Sequence, residues 1–242
     1  MSAVTLTIKP GVTIGAGVTV TVPVAPPPPL KSLSFNGTQD TQLDILGTTT
    51  DWALGQHGTI EWWQKAPASV NDQGGIFLGG IISQGAGAGQ NHGMDIFQAN
   101  GMSVGLGGNN SQWPDPPAGV WSHIAVTISP ASGGGIARLY INGVEQTKIT
   151  GYNDTNCING ADILHIGCRI PGVGYQNWTG LITNLHINNT TLYTGTFTPT
   201  IRTAPVAGTV LLLDSTNPLV DLSTSAHTTN GNTVVVVDGP VV

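Results

Sequence analysis

Charge is what this chain has least of. Only 8% of its residues are charged, 7 Lys and Arg against 13 Asp and Glu, where an ordinary domain carries about a quarter. With so few basic residues there is no stripe to neutralise phosphates, which excludes nucleic-acid binding through an electrostatic footprint. The same scarcity argues against docking on anionic lipid. No run approaches the roughly 20 apolar residues of a membrane span, so no membrane insertion is expected. The first residues, MSAVTLTIKPGVTIGAG, lack a basic stretch followed by an apolar one, and read as no standard secretory signal. Cysteine is almost absent, and whether Cys157 and Cys168 are bridged stays open. Together with His165 they fall short of the four ligands of a zinc site.

What is present points one way. The 242 residues include 34 Gly and 16 Pro with abundant Thr and Val, a composition of strands joined by tight turns. Hydrophobic residues make up 39%, enough for a core. A helical protein would need far more Glu, Lys and Arg on its surface. The length suits one sizeable β domain with a small appendage.

That appendage is the N-terminus. Val4, Leu6, Ile8, then Val12, Ile14, then Val18, Val20, Val22 and Val24 recur at alternate positions, broken at Pro10-Gly11 and Gly15-Ala16-Gly17. Period two predicts two or three short strands over residues 1–24. A ribbon this small has no second layer for its apolar face and should pair with another body. Residues 25–30 contain four consecutive prolines, Pro26 to Pro29, a polyproline II spacer of about 12 Å. The main domain is expected over residues 31–242.

Within it, SLSFNG, QLDIL, GTIEWWQKA, GIFLGGIIS, GMDIFQ, GMSVGLGG, WSHIAVTI, ARLYINGVEQ, ILHIGC, GLITNLHI and TVLLLD have strand length and frequent alternation. In SHIAVTI, Ile124, Val126 and Ile128 face one way and His123, Ala125 and Thr127 the other. Strand–helix alternation is missing, which argues against a parallel α/β sheet. The expected fold is all-β, an antiparallel jelly-roll or Greek-key sandwich. Asn142-Gly143 predicts a hairpin turn, both residues tolerating positive φ. Trp121 is expected to fill the space between sheets, Gly180 to lie close to another backbone, and Phe197-Thr198-Pro199 to end a strand.

The series SLSFNGTQDTQLDI, GTIEWWQKA, GVWSHIAVTI, ARLYINGVEQ, LHIG, WTGLITNLHINNTTLYTGTFTP and TVLLLD, about residues 31 to 222, resembles the laminin-G-like, concanavalin-A-like jelly-roll domain. It looks most like the version found in phage and giant-virus structural proteins. Its most specific parts are Trp121 to Val126, Leu139 to Gly143, and Leu192-Tyr193-Thr194 to Phe197-Thr198-Pro199 ahead of Leu211-Leu212-Leu213. The resemblance implies a non-enzymatic virion component, made in the host cytoplasm and displayed on the particle surface as a capsid decoration or fibre protein. Its arm would join sister chains, by analogy a homotrimer, and the capsid or tail scaffold. The alternative is a tail adhesin or lectin-like protein that contacts host glycans; a polysaccharide-acting enzyme comes last.

Candidate chemistry follows from the same residues. Hydrolases of this fold need paired carboxylates flanking the scissile bond, and Glu61 and Glu145 are the only glutamates, without the spacing. Ser122 and His123 are adjacent and point to opposite faces. No cofactor is required. Calcium at the sandwich rim is an option that the resemblance implies, through Asp40 and Asp44, or Asp72 with Asp95, near His92. Sugars need an aromatic platform flanked by amides and carboxylates. The loop holding Asn109, Asn110, Trp113 and Asp115 offers one, and Tyr175 with Trp178 a second.

Overall fold

Short alternating segments cut by Gly, Asn and Pro leave the backbone one economical way to satisfy its hydrogen bonds, pairing as antiparallel strands. The computed structural model describes residues 30–38, 41–48, 51, 54, 57–67, 80–84, 94–98, 101–106, 109–131, 134–146, 163–167, 177–232 and 234–239. Among them are fifteen strands and no helix. Residues 1–29, which hold the expected arm and all but the last residue of the expected spacer, lie outside the described residues, as do Asp40, Asp72, His92, Cys157, Cys168 and Tyr175.

One sheet has eight strands: β1 (Lys31–Asn36), β3 (Gly58–Lys65), β8 (Ser122–Ala131), β9 (Gly134–Ile141), β10 (Val144–Glu145), β12 (Thr179–Asn188), β13 (Thr209–Leu213) and β15 (Val235–Asp238). Its order is β10-β9-β8-β3-β12-β1-β15, with β13 pairing β12 off that path. The other has seven: β2 (Gln42–Leu46), β4 (Gly80–Gln84), β5 (Met94–Gln98), β6 (Met102–Leu106), β7 (Asn109–Trp113), β11 (Ile163–Ile166) and β14 (Thr228–Asn232), in the order β14-β2-β11-β4-β5-β6-β7. Every pairing is antiparallel. This is the all-β sandwich that the sequence predicts.

The core lies between the sheets. Ile60, Trp62, Ile124, Val126, Ile128, Leu139, Leu185 and Ile187 come from the first; Leu43, Ile45, Ile96, Val104, Leu164 and Ile166 come from the second. Burying one such side chain contributes about 2 kcal/mol. The alternation in β8 holds, since Ile124, Val126 and Ile128 join the core. His123 and Thr127 are nevertheless buried too. The reason is a long irregular segment, residues 189–208, laid over the outer face of the eight-stranded sheet. Its ends close on each other, with Asn189 N–H donating to Gly208 O at 2.9 Å.

Four expectations need correction. Asn109 to Trp113 is not a loop but strand β7, and Trp113 is a core residue. Trp121 is only half-buried, so Trp62, Trp113 and Trp178 fill the interior instead. Phe197 to Pro199 ends no strand and belongs to the irregular segment. The last two strands, β14 and β15, were not among the expected ones. The Asn142-Gly143 hairpin turn is as expected, with φ of 51° and 78°. So is the close approach at Gly180, where a Cβ would stand 2.6 Å from Lys65 O.

Candidate functional site

Two polar groupings stand out, one around a single carboxylate of the eight-stranded sheet and one along a ladder row of the seven-stranded sheet. The first is a knot around Glu61, at the centre of β3. Ile60 and Trp62 point into the core, so alternation turns Glu61 outward, beneath residues 189–208. His186 faces it from β12 because of a bulge: β3 pairs Thr183 with Trp63 but His186 with Glu61, one extra residue on β12. Asn184 takes up the kink with φ of 53°. Its side chain then grips Arg202 twice, Nδ2 donating to Arg202 O at 2.6 Å and Oδ1 accepting Arg202 N–H at 2.7 Å. That grip sets the guanidinium on the carboxylate.

Glu61 Oε1 accepts from His186 Nδ1 at 2.8 Å and from Arg202 Nε and Nη2 at 3.1 and 2.9 Å. Oε2 accepts the Tyr193 hydroxyl at 2.7 Å and has His123 Nε2 at 3.3 Å. Facing an acceptor-only carboxylate, His186 Nδ1 must carry its proton. Its Nε2 lies 2.9 Å from Thr209 Oγ1. Burial alone would raise the Glu61 carboxyl, but the bonds from His123, His186 and Tyr193 outweigh it and hold the group far below the usual carboxylate range. Burial and the neighbouring Glu61 charge push the Tyr193 phenol well up, which keeps it a donor. Tyr193 stacks on Phe197 at 3.6 Å between ring centroids, and His123 meets Phe197 edge-on.

This knot fastens a loop; it is not built for acid–base work. Both carboxylate oxygens are engaged and the group stays ionised, so it has no proton to give. Its would-be partner is also too far. Glu145, Tyr140, Ala125 and Glu61 share one ladder row, which puts the two glutamates three strands, roughly 14 Å, apart. Paired hydrolase carboxyls stand about 5 to 9.5 Å apart.

The second constellation crosses the whole seven-stranded sheet. Asn230, Asp44, His165, Ser83, Asp95, Gly105 and Asn110 are successive ladder partners, one from each strand. The row is about 29 Å long. Its neighbours along the strands, Leu43, Ile45, Leu164 and Ile166, are core residues, so Asp44 and His165 sit on the outer side. Asp44 Oδ1 is 2.7 Å from His165 Nδ1, and Gln42 Nε2 donates to both carboxylate oxygens, at 3.0 and 3.2 Å. The carboxylate is thereby fixed in orientation and keeps lone pairs for a ligand.

The expected sugar-contact residues separate. Asn110 belongs to the row and Asn109 sits one position before it in β7. Trp113 and Trp178 are 1% and 0% exposed, and their rings pack in the core. Neither offers a stacking face, a correction that follows from strand alternation and from the apolar area each ring removes from water. Asp115 is half-buried in the irregular stretch after β7. For calcium, each expected pair has one member, Asp40 or Asp72, outside the described residues. Among the described residues no group of three or more metal-ligating side chains occurs.

A laminin-G-type family model described as the concanavalin A-like lectin/glucanases superfamily matches residues 36–194. The chain belongs to this superfamily. Two solved structures share the lectin/glucanase fold with it. A protein of Bacteroides ovatus described as carbohydrate binding is 17% identical, with a TM-score of 0.54 over 88% of this chain and 61% of its own. The heptameric SAP-like pentraxin of Limulus polyphemus is 16% identical, with a TM-score of 0.53 over 86% of this chain and 95% of its own. The chain thus spans under two thirds of the Bacteroides protein. No curated protein sequence matches. These likenesses carry the laminin-G-like expectation and do not extend to a virion.

Proposed function

We propose that this chain is a carbohydrate-binding, lectin-like module whose ligand lies along the outer row of the seven-stranded sheet. The single observation behind this reading is that row, a line of ladder positions occupied by Asn, Asp, His, Ser and Gly, one from each of seven strands. A saccharide presents many hydroxyls and little charge, and is held by amides and carboxylates fixed in advance. The Asp44–His165–Gln42 cluster is such a fixed group. Support also comes from the Bacteroides likeness, described as carbohydrate binding. The reading favours the lectin alternative over the capsid-decoration one. Display on a virion rests on residues 1–24, outside the described residues.

The test is a glycan array probed with the full chain, wild type and Asp44→Ala with Asn110→Ala. We expect binding to a defined set of glycans, at least tenfold weaker in the double variant at an unchanged Tm. Binding untouched by the substitutions would move the site elsewhere, and no binding to any glycan would end the proposal.

A further inference from the structure

Among the described residues five strands have a single partner strand: β13, whose other side takes Leu222 N–H on Leu212 O at 2.9 Å, and the four at the ends of the two sheets, β10 and β15 in one, β14 and β7 in the other. Three of the four end edges are blunted in ways that discourage pairing with another chain. β10 has two residues, and its Glu145 pairs with Arg138 at 3.4 Å. β14 reads TTNGN and β7 reads NNSQW, sequences with almost no apolar residue to offer a new strand. The fourth is different. β15 reads VVVD, with Val235 and Val236 58% and 39% exposed, and among the described residues only β1 pairs with it.

The register shows which of its backbone groups are free. Gly239 N–H donates to Leu30 O at 2.8 Å, and Lys31 pairs with Asp238, Ser32 with Val237, Leu33 with Val236. In an antiparallel pair the bonded positions alternate. Val235, Val237 and Gly239 therefore bond to β1, while Val236 and Asp238 turn their N–H and C=O to the open edge. Leu30, where the chain enters this sheet, is level with the end of β15. Just upstream come the four prolines, and beyond them Val18, Val20 and Val22 at alternate positions.

We infer that the open edge of β15 is the acceptor for residues 18–24 of a second copy of this chain, added as a further strand. The alternating valines match a strand that needs one apolar face, and main-chain bonds to Val236 and Asp238 supply the affinity. A second copy is the fitting donor because only Ala25 and the four prolines Pro26 to Pro29 separate residue 24 from Leu30, which is held against Gly239, and so short a proline-rich link leaves little chain with which to cross to the far edge of its own β15. Such a contact is head-to-tail, which gives a ring of chains or an open filament according to the rotation between copies. The inference stands apart from the carbohydrate reading.

The experiment is sedimentation velocity on the full chain. Wild type should associate at micromolar concentration. Val236→Pro removes one edge N–H and no bond to β1, and should weaken association at least tenfold at a similar Tm. Val20→Pro, in the arm, should do the same without touching the sheet, and decides the matter if the first variant fails to fold. A synthetic peptide of residues 1–24 should bind wild type and not Val236→Pro. A monomeric wild type, association that survives both variants, or a peptide that binds both proteins equally would overturn the inference.

Discussion

Glu61 ties the irregular segment to the eight-stranded sheet. Five donors from four residues converge on it, drawn from three stretches of chain: His123 of β8, His186 of β12, and Tyr193 and Arg202 of the irregular segment 189–208. A buried carboxylate with its partners matched is tolerated, whereas one partner left alone is costly. Glu61→Gln would keep the size and leave the Arg202 guanidinium without a counter-charge. We expect a loss of about 3 kcal/mol and a Tm lowered by on the order of 10 °C, read by thermal unfolding followed by circular dichroism. The sequence offered a hint, the rarity of Glu in the chain, but no partner. His123 lies 62 residues away and Arg202 lies 141 away, and nothing local relates them.

At the level of elements, the hairpin between β9 and β10 was legible because its determinant is local: Asn-Gly fits positive φ whatever surrounds it. Its second task was not legible. Gly143 O accepts Phe197 N–H at 3.0 Å, and a Cβ at Gly143 would meet Phe197 O at 1.9 Å. Gly143→Ala should therefore destabilise by more than the roughly 1 kcal/mol of an unfavourable φ, and should free residues 189–208 first. Hydrogen exchange would show lost protection at Phe197 ahead of the β9 amides. The bulge at Asn184 and strand β7 were hidden for a related reason. The bulge depends on which partner β12 meets, and NNSQW has the composition of a loop until a neighbouring strand pairs with it. In β14 and β15 likewise, pairing with β2 and β1 made strands of TTNGN and VVVD.

For the whole molecule, low charge makes stability nearly independent of salt but not of acid. Glu61 and Asp221 both hold their protons more weakly folded than unfolded. At Asp221, burial is outweighed by bonds from Leu212 and Ser223 N–H, the Ser223 hydroxyl and His227 N–H. Their contribution is fully present above the ordinary values of 4.5 for Glu and 3.8 for Asp. It is lost as pH falls below them, because the unfolded chain then binds more protons. Chemical denaturation should give a plateau in stability down to about pH 5 and a steep decline beneath it, shallower in Glu61→Gln, where Asp221 still contributes.

By itself, the sequence determined the fold class, the family and the turns, because alternation, Gly and Pro act over a few residues and bias every conformation the chain can take. Tertiary structure alone decided which tryptophans are core, that Glu61 is a fastening, and that one polar row crosses seven strands. Those depend on register between segments distant in the chain, and a shift of one residue in any ladder would turn each of those side chains to the opposite face.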